Sequence, residues 1–133
     1  MMGTISSEEL LFFQGHEGAL PLYAAVRAQA LTVRSDARIE VKKTQISFFS
    51  RFMFAAVSFT PVGKAQDRPK SFLTLTLGLP FRLESPRVTV AAEPYPGRWT
   101  NHILLGRSED VDEELSGWLR AAADFADRKR GQA

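Results

Sequence analysis

The chain has 133 residues, 44% hydrophobic and 24% charged, with a formal net charge of +2 and no cysteine. Those values describe one globular domain, spanning 1–133, that can bury a core without covalent staples. The lack of cysteine excludes disulfides, thiolate nucleophiles and cysteine-ligated zinc or iron–sulfur sites, and suits a reducing cytosol.

The opening MMGTISSEELLFFQG carries acids where a signal peptide carries bases. No apolar run approaches the roughly 18 residues needed to cross a membrane, so the expected location is cytoplasmic. Charge is unevenly distributed. Residues 1–17 hold three acids and no Lys or Arg, residues 18–107 hold thirteen bases against five acids, and residues 108–133 hold four bases against seven acids. Acids gathered at helix starts account for one part of this pattern. A basic sheet surface offered to an anionic partner accounts for another.

Ser6-Ser7-Glu8-Glu9 contains a capping box, with Ser6 as N-cap and Glu9 at N3. It predicts a short helix through Leu10, Leu11, Phe12 and Phe13, broken by Gly15 and Gly18. Pro21 suits the first turn of a second helix, whose stripe is Leu22, Val26 and Ala30 and whose end falls near 32–35. From Arg38 the apolar period changes to two. Strands are expected at about 38–49, 52–60, 71–79, 87–92 and 99–105, joined by short connections. Ser108 is the expected N-cap of a last helix with Val111, Leu115, Trp118, Leu119, Ala122 and Phe125 on its buried stripe. The ends, 1–5 and 128–133, are expected to be flexible. The fold class is α+β: two N-terminal helices, a mainly antiparallel five-stranded sheet, and a C-terminal amphipathic helix packed on it.

Two strands carry most of the functional interest. In 99–105, alternation puts Trp99, Asn101, Ile103 and Leu105 on one face and Thr100, His102 and Leu104 on the other. Trp99 then belongs to the core, and His102 faces away from it. In 38–49, the apolar phase switches at Lys43–Thr44, through either a β-bulge or partial cover on both faces.

Nucleotide-binding glycine loops, H-E-x-x-H and G-x-S-x-G are absent. His16-Glu17 is the one adjacent metal-ligand pair, and no metal or cofactor is expected. Basic and aromatic residues alternate in KKTQISFFSRFMF, as in base-stacking surfaces, but the core needs most of those phenylalanines, so nucleic acid is disfavoured.

The words FFQGHEGALPLYAAVRA, VKKTQISFFSR, LTLTLGLP with the following SPR, PGRWTNHILL and SEDVDEELSGWLRAA run in order from about Phe12 to Ala126. In them the chain resembles a bacterial family of domains of unknown function, number 5655, some of whose members are labelled as predicted transport proteins. The resemblance implies no catalytic residue. The layout is also similar to small helix–sheet–helix domains, including frataxin-like iron-binding ones, a likeness of fold only.

These observations lead to a non-enzymatic binding module for an anionic small molecule or an acidic protein segment. Lys43 and Arg98 would pair with the anion, Thr44, Gln45 and Thr100 would hydrogen-bond it, and His102 would tune binding with pH. One alternative is a small hydrolase or isomerase with His102 as general base. Another is iron handling by the acidic start of the last helix.

Overall fold

The computed structural model describes residues 4–128. Residues 1–3 and 129–133, most of the ends expected to be flexible, lie outside the described residues. Within them the α-helices are α1 (Ser7–Phe12), α2 (Leu20–Val33) and α3 (Glu113–Arg128). The strands are β1 (Arg38–Val41), β2 (Gln45–Phe49), β3 (Met53–Ser58), β4 (Leu73–Leu79), β5 (Val88–Tyr95) and β6 (Arg98–Leu105). They form one antiparallel sheet in the order β1-β2-β3-β4-β6-β5.

The sheet thus has six strands where five were expected, because 38–49 is a hairpin. Val41 pairs with Ile46, and Lys42, Lys43 and Thr44 make the connection, with Lys42 N–H donating to the Gln45 carbonyl at 2.8 Å. Residues paired across a hairpin share a face. Val41 and Ile46, of opposite parity in sequence, therefore both reach the core. The phase switch at Lys43–Thr44 is this turn, not a bulge. The sheet's bulge near that hairpin is at Phe54, between the pairs Phe48–Ala55 and Phe49–Met53.

Helices cover one face. Ile46, Phe48, Ala55, Val57, Leu75, Leu77 and Ile103 on that face are at most 1% exposed and share a single core cluster with Tyr23, Val26, Leu115 and Leu119. The opposite face, which the helices leave uncovered, is the open face. Both sheet edges are blunted against further pairing. β1 has four residues, and β5 slips register at Thr89 and again before Tyr95, next to Pro94. Pro96 and Gly97 close the β5–β6 hairpin, with φ of 81° at Gly97, a conformation that favours glycine at the third position of a type II turn.

The helix starts obey local chemistry with one shift. The Ser6–Glu9 capping box forms, through Glu9 N–H to Ser6 Oγ at 3.2 Å and Ser6 N–H to Glu9 Oε1 at 2.8 Å. Glu9 is buried, and its Oε2 accepts from the Tyr23 hydroxyl and from Arg27 Nε at 2.7 Å. Burial acts to raise the Glu9 pKa. The bonds from Arg27, Ser6 and Tyr23 together outweigh it and hold the carboxyl below its ordinary value.

Ser108 does not cap α3; it begins a 3-10 turn, Ser108–Asp110. Asp112 caps the helix instead, its Oδ1 accepting from Leu115 N–H at 3.0 Å. The buried side of α3 is Leu115, Leu119, Ala122, Ala123 and Ala126, whose small alanines let the helix sit close to β3 and β4. Trp118 is consequently half-buried at the margin, with the Arg87 guanidinium 5.5 Å from its ring centroid.

Candidate functional site

Antiparallel pairing lines the open face in rows across the strands. Glu40, Ser47, Ala56, Thr76, His102 and Val90 form one complete row over all six. In the neighbouring row, Gly78 pairs with Thr100, and Thr100 with Ala92. Strand alternation puts Arg98, Thr100 and His102 on this face, while Trp99, Asn101, Ile103 and Leu105 point to the helix side. Trp99 is half-buried there, at the start of its strand.

Arg98 does not extend straight into solvent. A Cβ added at Gly78 would lie 2.7 Å from Arg98 Nη2, 2.8 Å from Nη1 and 2.9 Å from Cζ. Such similar distances mean that the guanidinium lies flat over Gly78, in space that only glycine leaves open. Since Gly78 is the partner of Thr100, the Arg98 head sits one row, about 7 Å, from Thr76 and His102.

The partly buried arginines are Arg27, Arg34, Arg68, Arg87 and Arg98. Arg27 pairs with Glu9, Arg34 with Asp124 and Asp127, and Arg87 with Asp112 and Glu114. Arg68 donates to the Val62 and Gly63 carbonyls. Arg98 alone in this set has no polar partner among the described residues. A guanidinium carries five donors and is partly desolvated here, so it is set to receive an acceptor from outside the chain.

His102 is half-buried, with Nδ1 2.9 Å from Thr76 Oγ1. Burial lowers its pKa below the ordinary histidine value, which favours the neutral ring. A neutral ring engaged at Nδ1 leaves Nε2 for an external group. The Thr100 hydroxyl donates to the Ala92 carbonyl at 3.3 Å, a long bond.

The other sequence candidates lie elsewhere. Gln45 is on the open face, but β3 and β4 separate its strand from β6, roughly 14 Å of sheet. Its Nε2 is engaged with Ser47 Oγ at 2.7 Å and with Met53 Sδ at 3.8 Å. Lys43 and Thr44, in the β1–β2 turn, are exposed and line a recess with His16, Phe59 and Thr60 at the end of the sheet. The structure therefore brings together Arg98, Thr100 and His102 and separates them from Lys43, Thr44 and Gln45.

Three of the acids at the start of the last helix are engaged within the chain. Asp112 and Glu114 pair with Arg87 at 2.9 and 3.1 Å, and Asp110 Oδ2 accepts from the Gly106 and Arg107 N–H groups. Glu17 turns its carboxylate onto Gly15 N–H at 3.0 Å. Among the described residues no group of three or more His, Asp or Glu is arranged to hold a metal ion.

Thr76 and Gly78 were missed in the sequence. The alternation of LTLTLGL puts them on one face with Thr74, but nothing local says that this strand pairs with 98–105. Asn101 was placed by parity only. It is fully buried and fastens the β4–β5 connection, accepting from Leu83 N–H at 2.9 Å and donating to the Phe81 carbonyl at 3.3 Å.

Fold and site together define an α+β domain with helices on one face of an antiparallel sheet and, on the other, a mixed surface that carries Thr76, Thr100, His102 and Arg98. The chain belongs to the family described as "Domain of unknown function (DUF5655)", which it matches over residues 11–126. Neither the curated proteins nor the solved structures include a significant match.

Proposed function

We propose that the protein is a cytoplasmic, non-enzymatic binding module. It holds an anionic group, carried by a small molecule or an acidic protein segment, against the open face of the sheet. The observation that carries this reading is the half-buried Arg98 guanidinium, seated on Gly78 without a polar partner among the described residues. Arg98 pairs with the anion through two parallel N–H donors. The free ring nitrogen of His102 donates a further hydrogen bond from the same patch, and Thr100 adds another when its hydroxyl turns from the Ala92 carbonyl to the anion. No helix among the described residues is long and apolar enough to cross a membrane, so the reading needs no membrane step.

The test is an NMR titration with inorganic phosphate and with hexaglutamate, following the His102 ring and the Arg98 side chain. Saturable shifts at both, retained in Lys43→Ala, with the His102 shift abolished in Arg98→Ala, are the expected result. Equal, non-saturable shifts at His16 and His102 would overturn the proposal.

The 2.9 Å contact between Thr76 Oγ1 and His102 Nδ1 supports a second reading, a hydrolase in which a neutral His102 activates the hydroxyl. Its test is p-nitrophenyl acetate turnover. Activity lost in both Thr76→Val and His102→Gln but kept in Arg98→Ala would favour it over the binding module.

A further inference from the structure

A recess separate from the Arg98 patch lies at the sheet end where three connections meet. They are the α1–α2 loop, the β1–β2 turn and the β3–β4 segment. It consists of two depressions of about 250 and 530 Å³ that share His16. The α1–α2 loop presses on the segment that precedes β4: a Cβ at Gly18 would lie 2.3 Å from Ser71 Oγ.

Two chemistries meet in it. The apolar part is built on Phe59. The His16 ring lies against it at 3.9 Å between centroids and 13° between planes, and Phe12 stacks on it at 5.3 Å and 19°. His16 is itself exposed, so Phe59 holds a flat ring at the surface. Leu11, in the same lining, is 66% exposed, the most exposed large hydrophobic among the described residues. The charged part is Lys43 in the larger depression and Lys70 in the smaller, neither with an ion pair among the described residues. Glu17 is the one carboxylate in the lining, and its bond to Gly15 N–H holds it to the loop. Hydroxyls of Thr44 and Ser71 stand beside the lysines.

We propose that this recess binds a small organic anion with a flat apolar body, an aromatic acid whose head group is a carboxylate or a phosphate. The body packs against Leu11 and the His16–Phe59 stack, and the head takes Lys43 or Lys70. The larger depression has the volume of a small-molecule site, and the stacked rings supply a flat contact that an inorganic anion has no use for. This site is independent of Arg98.

The experiment is calorimetry combined with NMR of the His16 ring, using 2-naphthoate, 1-naphthyl phosphate, neutral 2-naphthalenemethanol and inorganic phosphate. Saturable binding of either naphthyl acid with shifts at His16 is expected, and the tighter of the two names the head group. The paired variant Lys43→Ala/Lys70→Ala, at exposed positions, should weaken that binding about tenfold. Arg98→Ala should leave it unchanged, which separates this site from the open face. The proposal is overturned if the neutral alcohol binds as tightly as the acids, if phosphate alone binds as tightly, if the shifts fall on His102 instead, or if none of the probes saturates.

Discussion

The two faces of the sheet treat charge differently. On the helix side and its margins, each partly buried arginine is answered by the chain: Arg27 by Glu9, Arg34 by Asp124 and Asp127, Arg87 by Asp112 and Glu114. On the open face Arg98 is held in place by shape, over Gly78, with its donors unanswered among the described residues. β6 carries both environments in alternate residues. Charges that hold elements together are neutralised where they stand, whereas the Arg98 charge is positioned by packing alone.

The largest effects of substitution belong to the helix side. Leu119→Ala removes a fully buried side chain of α3 and should cost roughly 3 kcal/mol in urea unfolding. Glu9→Gln strips the buried partner from Arg27 and Tyr23 and should cost about 2 kcal/mol. Because Glu9 is held below its ordinary value of 4.5, its contribution is present above that pH and lost as pH falls through the lower folded value. Acid unfolding curves of Glu9→Gln should therefore be flatter below pH 4.5 than those of the parent. An unchanged curve would detach Glu9 from acid stability.

Smaller effects sharpen the contrast. Arg87→Ala should cost about 1 kcal/mol, since its partners are largely exposed and screened. Arg98→Ala should change stability by less than about 0.5 kcal/mol, the range of a side chain that holds nothing together. Equal costs for the two would mean that Arg98 is structural after all. Gly78→Ala meets only the far end of the Arg98 side chain, so it should fold normally while displacing the guanidinium and weakening anion binding. Finally, the His102 ring should titrate below 6.5, and its part of the stability should be lost as pH falls below that value. A ring titrating at or above 6.5 would mean that His102 is already open to water or paired with an acid.

Features that depend on neighbours along the chain are legible in the amino-acid sequence. Ser6 and Glu9, three residues apart, make their capping box within one helical turn. Trp99 and His102 face opposite sides of β6 because the strand period is two. The same local logic failed where several local answers fit. The phase switch in VKKTQISFF suits a bulge as well as a turn, and Lys42, Lys43 and Thr44 carry none of the usual turn residues. What decided it was the core, which takes both Val41 and Ile46 when the chain folds back. Ser108 was displaced as a cap because Asp110 reaches back to the Gly106 and Arg107 N–H groups while Asp112 takes Leu115 N–H in the first turn of α3. Only tertiary structure could seat Arg98 on Gly78, twenty residues away, or bring Lys43 beside His16 and Phe59. Local sequence sets which way a side chain points, but strand order and loop convergence set what it meets, and both follow from burying one face of the whole sheet.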